Sequence, residues 1–334
     1  MNIDVFETEF WEKPFLEKEL KKHKVKFFKE TLNEKNAAKA KDAEIISVFV
    51  DSNINQRLID KLPKLKFIAT RSTGFDHIDI AYCKKKGIIV SNVPTYGENT
   101  VAEHAFALIL TLSRKLYPSI ERTHEQHSFE TDHSLMGFDL KGKTLGVIGC
   151  GHIGKHVVRI GTGFEMNVLV FEPHPDKKLA KRFGFKYTNI NNLLKKSDII
   201  TLHVPYNNKT HHLINEKAIK KMKHGVIIIN TSRGSVVDTN SLVEGLKNKK
   251  IAGAGLDVIE EEDCIKEERE LLKENLERAC NLKTLLENHI LMEMDNVIIT
   301  PHNAFNSKEA LQRILNITLE NIIAFAKKKP LNKV

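Results

Sequence analysis

A chain of 334 residues is long enough for about two domains, and 41% hydrophobic with 28% charged residues is globular rather than disordered or fibrous. The net charge of +9 raises nucleic acid as a partner, but the lysines of "LKKHKVKFFKE", "CKKKG" and "FAKKKP" are scattered without interleaved aromatics, so they read as a solvated surface that also attracts small anions. No apolar run reaches the roughly 18 residues of a membrane span, "MNIDVFETEFWEKP" has no apolar core of a signal peptide, and Cys83, Cys150, Cys264 and Cys280 lack CxxC spacing, so the expectation is a cytoplasmic protein with no membrane or nucleic-acid partner, no metal and no disulfide framework.

Ten short runs rich in β-branched residues follow in two groups. The first is "IDVFE" (3–7), "IISVFV" (45–50), "KFIAT" (66–70) and "GIIVSN" (87–92). The second is "TLGVIG" (144–149), "NVLVFE" (167–172), "DIITLHV" (198–204), "GVIIIN" (225–230), "IAGAGLDV" (251–258) and "NVIIT" (296–300). They are apolar throughout rather than alternating, as befits strands of a parallel sheet covered on both faces. With helical stretches between them they predict an α/β fold of two doubly wound parallel-sheet domains.

Between the groups, Val101, Ala105, Leu108, Ile109 and Leu112 of "NTVAEHAFALILTLSRKLY" fall at helical spacing, with Asn99 or Thr100 as the cap. This helix marks the crossing into the second domain, and the chain crosses back near Thr300 to Asn303. The expected division is 1–98 plus 302–334 as the substrate domain and 99–301 as a nucleotide-binding domain, with a ligand cleft between them. The C-terminal "SKEALQRILNITLENIIAFAKK" reads as a helix returning to the first domain. The charged segment 259–294 reads as one or two surface helices.

"LGVIGCGHIG" places Gly149, Gly151 and Gly154 in a GxGxxG spacing after a predicted strand and before a predicted helix. That context makes it a dinucleotide loop: a tight turn, close approach of a pyrophosphate to the backbone, and close helix–strand packing. The helix start offers N–H groups to phosphates. Glu172 ends the next strand, where an acid accepts hydrogen bonds from ribose hydroxyls and repels a 2′-phosphate. NAD is therefore the expected cofactor, tempered by Lys177 and Lys178 nearby.

Three later strand ends carry ionisable groups: Arg233 in "NTSRGSVVD", an acid of the run Glu260 to Asp263, and His302 in "VIITPHNAF". Parallel strands bring such ends to one sheet edge. An arginine fork suits a carboxylate and polarises a carbonyl. A histidine gives or takes the proton that accompanies hydride transfer. A carboxylate against an imidazole favours its protonated form.

These motifs together, with "RSTGFDHID" (71–79), "NVPTYGENTVAEHA" (92–105), "LHVPYNNKTHHLIN" (202–215), "INTSRGSVVD" (229–238), "GAGLDVIEEE" (253–262) and "ITPHNAF" (299–305), give the chain a close resemblance to the D-isomer-specific 2-hydroxyacid dehydrogenases over nearly its whole length. The resemblance implies a flavodoxin-like substrate domain beside a Rossmann NAD-binding domain. It implies catalytic roles for Arg233, Glu262 and His302, Glu262 being the acid five residues after Asp257. It further implies His152 and Ile153 at the pyrophosphate through their backbone, Glu172 at the ribose, Val204, Pro205 and Thr210 on the adenine side, and Thr231, Ser232, Arg233 and Asp257 at the nicotinamide end. Thr73 and Gly74 resemble the family's donors to the substrate carboxylate. Tyr96, and Phe305 three residues after the histidine, resemble the D-lactate dehydrogenase branch. No arginine precedes "KPF" (13–15), unlike several lactate enzymes of that branch, so hydroxypyruvate, glyoxylate and bulkier 2-oxo acids stay open beside pyruvate. An NAD-sensing corepressor is the non-enzyme alternative. A homodimer built on the NAD-binding domains is also implied.

Overall fold

The computed structural model describes residues 1–262, 264–265 and 280–334. They form two compact units, Met1–Tyr96 with Asn306–Val334, and Gly97–Phe305. His302 belongs to the second.

The first unit is built on five strands, β1 (Asn2–Val5), β2 (Lys24–Phe27), β3 (Ile45–Val48), β4 (Phe67–Thr70) and β5 (Ile89–Ser91), in the order β2-β1-β3-β4-β5. Every pairing is parallel. This is the flavodoxin-type order, whose crossovers place helices on both faces. Every residue of β3 and β4 is buried, as their unbroken apolar runs require. One face packs Phe6, Ile46, Val48 and Ile68 against Leu58 and Cys83. The other packs Ile3, Val5, Phe67 and Ala69 against the C-terminal helix Lys308–Ala326 through Leu315 and Ile322. Ser307 caps that helix by accepting from the Ala310 N–H, and Phe325 stacks on Phe67 with ring centroids 4.4 Å apart.

The second unit holds β6 (Thr144–Ile148), β7 (Asn167–Phe171), β8 (Lys186–Tyr187), β9 (Ile199–Leu202), β10 (Val226–Asn230), β11 (Ile251–Leu256) and β12 (Val297–Ile299). Their order is β12-β11-β10-β9-β6-β7-β8, again all parallel. Strand order reverses between β6 and β9, the switch point outside whose carboxyl ends ligands bind in doubly wound sheets.

Two strands, β2 and β8, go beyond the ten runs read from the sequence. Both lie at sheet edges, and their residues alternate between exposed and half-buried, so neither shows an apolar run. The crossing helix also differs from expectation. It spans Glu98–Ser113 and starts on Gly97 with no side-chain cap, while Asn99 instead receives Arg159. It does not continue to Tyr117: Lys115 turns to φ +52, and a separate helix covers Leu116–His124. In the charged segment, the helix Leu282–Met292 is capped by Asn281 and buries Leu285 and Leu291, so it is more than a surface helix. Leu271, Leu272 and Leu276 lie outside the described residues.

The cysteine expectation is also corrected. Cys264 and Cys280 are joined by a disulfide across 16 positions of sequence. CxxC spacing could not signal it, because the approach is made by the turn after β11 and the start of the Leu282–Met292 helix. Cys83 and Cys150 are free.

Two half-buried imidazoles make the fold sensitive to acid. Desolvation draws His77, bonded to Thr70 Oγ1, down from 6.5 to about 4 against the opposing pull of Asp76 and Asp51. It draws His203, bonded to Thr201 Oγ1, down to about 3. Below the unfolded value of 6.5 the unfolded chain binds protons that the folded chain refuses. Stability from these groups is thus present above pH 6.5 and lost as pH falls. Thermal unfolding followed by circular dichroism should show the melting temperature dropping from pH 6.5 towards 4, with a flatter slope in the H77Q/H203Q double variant. An identical slope in that variant would assign the loss to other groups.

Candidate active site

The glycine loop joins β6 to the helix Gly154–Gly163. Gly149 sits at φ +91, and a Cβ there would meet the His203 carbonyl oxygen at 2.4 Å. A Cβ on Gly154 would meet the Gly149 carbonyl oxygen at 2.1 Å. Both glycines are therefore demanded by the loop's own packing. Gly151 differs: its missing Cβ faces open space, with nothing within 4 Å. That space borders a helix start at Ile153 with no side-chain cap, an arrangement that suits a diphosphate. Glu172 reaches back from the end of β7, accepting from the Cys150 N–H at 2.8 Å and the His174 N–H at 3.1 Å. The His152 side chain turns to Glu98 at 2.7 Å, and Lys155 joins the same carboxylate at 3.3 Å. Val204 is half-buried beyond β9. Thr210 closes the following loop, donating to the Pro205 carbonyl at 2.7 Å and accepting from the Asn207 N–H at 2.8 Å.

The end of β10 turns on Asn230. Its side-chain oxygen accepts from the Ser232 N–H and hydroxyl, and its amide donates to the Arg233 carbonyl at 2.9 Å. Arg233 is left half-buried with Nη1 on the Ser232 carbonyl. Thr231 is buried, and among the described residues its hydroxyl has no partner. An orphaned polar atom of this kind at a strand's carboxyl end fits a bound polar ligand such as a nicotinamide carboxamide. Gly234 lets this turn press on the next one, since a Cβ there would lie 2.0 Å from the Ile259 carbonyl oxygen.

The run of acids divides by partner. Glu260 accepts from the Thr239 N–H and hydroxyl with one oxygen and lies 2.7 Å from His212 Nε2 with the other. Its carbonyl takes the Asn288 amide. Glu261 is exposed at φ +54. Glu262 Oε1 lies 2.7 Å from His302 Nδ1. Asp263 lies outside the described residues. His302 itself sits at φ +50 and is 36% exposed at the side chain, and no described residue bonds its Nε2. Nδ1–H donating to Glu262 fixes the tautomer in which a proton on Nε2 can be transferred.

Asp257, expected at the nicotinamide end, uses its carboxylate on the histidine loop. It is 1% exposed and accepts from Thr300 Oγ1 at 2.6 Å, the Asn303 N–H at 2.9 Å and the Ala304 N–H at 3.0 Å. His104 stands 3.5 Å away. Phe305 follows, half-buried, 3.9 Å from a Cβ built on Gly97. In the first unit, Arg71 is buried beside Glu12 at 3.5 Å and donates to the Phe6 and Glu7 carbonyls, anchoring the loop after β4. The Thr73 hydroxyl donates to the Val93 carbonyl. No described residue accepts from the Thr73 or Gly74 N–H. Tyr96 is half-buried, and its carbonyl takes Arg313 Nε at 2.6 Å.

The structure brings Glu262 and His302 into contact, and Arg233 follows the strand that pairs with the one preceding Glu262. Not singled out in the sequence were Asn230, whose partners Ser232 and Arg233 are only two and three residues on, and His212 and Asn288, which topology brings to Glu260.

Comparison with known proteins agrees with these features. The NAD-binding-domain model of the D-isomer specific 2-hydroxyacid dehydrogenases matches residues 106–304. The D-lactate dehydrogenase of Escherichia coli is 36% identical over 329 residues, covering 96% of each chain. A glyoxylate reductase of Thermococcus litoralis is 37% identical over 294 residues, covering 86% of this chain and 82% of that one. The structure of D-lactate dehydrogenase from Aquifex aeolicus, complexed with NAD and lactic acid, superposes with a TM-score of 0.87 at 40% identity, covering 98% of this chain and 96% of that one.

The glycines supply a direct test. Gly151→Ala should leave stability in urea unchanged while weakening NADH binding, because its methyl enters the open space. Gly234→Ala should cost about 1–3 kcal/mol of stability by overpacking. Unweakened NADH binding by the Gly151 variant would place the dinucleotide elsewhere.

Proposed function

Since this chain belongs to the D-isomer-specific 2-hydroxyacid dehydrogenases, NAD-dependent oxidoreductases acting on CH–OH groups, we propose that it is a D-lactate dehydrogenase, converting pyruvate, NADH and a proton to D-lactate and NAD⁺. The observation that carries the catalytic assignment is the 2.7 Å contact of Glu262 with His302 Nδ1. It leaves Nε2 as the atom that exchanges a proton, bare in the neutral ring and protonated in the imidazolium. Bound NADH supplies the hydride to C2 of the 2-oxo acid. His302 donates its Nε2 proton to the carbonyl oxygen as charge builds there. Arg233 holds the carboxylate with its planar fork and polarises the carbonyl. The Thr73 and Gly74 N–H groups, without acceptors among the described residues, take a carboxylate oxygen. Glu262 holds the ring and stabilises its cation. Glu172 receives the adenosine ribose, His152 and Ile153 the pyrophosphate, and Thr231, Ser232 and Asp257 border the nicotinamide.

Pyruvate is supported by Tyr96 and Phe305, aromatic residues that resemble those of the lactate branch. The glyoxylate reductases among the relatives make glyoxylate the second substrate to test. The reading extends to a cytoplasmic homodimer joined through the second unit. Its helix Leu116–His124 buries no residue, and Tyr117, Ile120, Phe129 and Met136 nearby are exposed, Phe129 at 97%. Exposed large apolar side chains in such number suit a partner.

His302→Gln should lower the rate of pyruvate reduction about 10²–10⁴-fold with NADH affinity retained, measured by stopped-flow oxidation of NADH. Unchanged turnover would remove His302 from the chemistry. Arg233→Lys should raise the pyruvate KM and lower kcat. Initial rates with pyruvate, hydroxypyruvate, glyoxylate and 2-oxoisocaproate, using NADH and NADPH, decide the substrate; a larger kcat/KM for glyoxylate than for pyruvate would replace the lactate assignment. Light scattering should give twice the chain mass, and the Ile120→Glu/Phe129→Glu variant the single chain.

A further inference from the structure

The disulfide begins two residues after Glu262. Upstream, Glu260 is tied to His212, Thr239 and, through its carbonyl, Asn288. Downstream, Cys264 bonds to Cys280, which leads through Asn281 into the helix that carries Asn288. The turn bearing Glu262 is therefore fastened at both ends to one element, the helix Leu282–Met292, upstream through Asn288 and downstream through Cys280. It is also a turn that needs fastening: Glu261 holds φ +54, a left-handed conformation that is strained for a non-glycine residue. Among the described residues, the Cys264 and Ile265 N–H groups, both on the Glu261 carbonyl, close it internally. Cys264 Sγ lies 3.4 Å from the Glu261 carboxylate.

The other two cysteines take no part in such chemistry. Burial raises both Cys83 and Cys150 to about 11, which leaves them as unreactive thiols. Cys264 is buried and Cys280 half-buried, so a reagent can reach the pair from the Cys280 side.

We propose that Cys264 and Cys280 form a reversible thiol–disulfide site that sets the position of Glu262 against His302, so that the enzyme is fully active only when the pair is closed. The inference rests on the proposed role of Glu262. Closure proceeds by exchange with a small-molecule disulfide. One cysteine thiolate attacks a sulfur of the reagent and releases one reagent thiol, leaving a mixed disulfide. The second cysteine, deprotonated, displaces the remaining reagent thiol. One reagent S–S bond breaks, one protein S–S bond forms, and the two electrons lost by the cysteines leave as two reduced thiols. Opening is the same sequence run by an excess of reagent thiol. Once open, the turn keeps downstream, among the described residues, the Cys264 and Ile265 backbone bonds, and a displacement of about 1 Å at a catalytic pair can cost up to about 100-fold in rate.

The test compares full-length enzyme poised with oxidised glutathione and with dithiothreitol, the thiol count being read by alkylation and intact mass. A chelator is present throughout, because the opened pair and Glu261 offer a divalent cation three donor atoms within 4.8 Å of one another. The expected result is a kcat for pyruvate about 10-fold lower in the reduced form, with the Kd for NADH within twofold. C264S/C280S should sit at the reduced level under both reagents, and Cys280→Ser alone gives the same comparison where the buried Cys264 change disturbs packing. In Glu262→Gln the redox effect should vanish, as a coupling through that carboxylate requires. Equal kcat in verified oxidised and reduced enzyme overturns the switch alone, as does a redox effect of undiminished size in Glu262→Gln, or four free thiols after oxidised glutathione. Absence of turnover of any 2-oxo acid in either state overturns the functional reading and the link to Glu262 with it.

Discussion

The Asp257 carboxylate is 1% exposed, and a charge so far from water survives only where hydrogen bonds replace its hydration. Three donors do so, the Thr300 hydroxyl and the N–H groups of Asn303 and Ala304. All three belong to the segment that carries His302, and the Asp257 carbonyl takes the His302 N–H as well. Each bond to a charged group contributes about 1.5–3 kcal/mol. That is enough to hold His302 at φ +50, where an L-residue does not settle unaided. The chain can leave β12 and turn at once because β11 ends in an acid. The imidazole is then aimed by backbone geometry before Glu262 touches it.

The same logic separates Glu260 from Glu262. The two are chemically identical and two residues apart, yet Glu260 bridges a helix start and an imidazole, while Glu262 reaches out to a half-exposed ring. A carboxylate bonded at both oxygens has little capacity left for a reacting group. One that touches only an imidazole Nδ1 can follow the ring's change of charge. Gly234 makes this division possible by admitting the Ile259 carbonyl to within van der Waals contact, so that the Arg233 turn and the acid turn pack as one body.

The interior strands were legible because their residues are buried on both faces and the run is apolar from end to end. The edge strands β2 and β8 were not, since half of each faces solvent. At the site, the glycine loop and the Arg233, His302 and strand-end acid motifs could be read directly. Which of four successive acids meets the histidine could not, and that choice came from resemblance to a family. Position in a charge run says nothing of direction, which is set by the φ +54 turn at Glu261. The role of Asp257 was hidden for the same reason. Its donors lie 43 to 47 positions away, and only the parallel pairing of β11 with β12 brings them together.

The nucleotide loop shows how recognition can rest on the backbone when the side chains are otherwise engaged. His152, Lys155 and His156 all face Glu98, so these basic side chains at the mouth of the loop are already partnered. Desolvation and the neighbouring Lys155 further draw His156 towards its neutral form, against the opposing pull of Glu98. What remains for a diphosphate is the uncapped start of the Gly154–Gly163 helix and the open space over Gly151. N–H groups at a helix start carry only partial charge, but they are fixed before the ligand arrives and lose no side-chain entropy on binding. A loop of this design selects for the shape of the phosphates more than for their charge. Discrimination between the two dinucleotides is proposed to fall to Glu172, whose carboxylate is pinned by the Cys150 and His174 N–H groups and, as an acid after this strand, disfavours a 2′-phosphate.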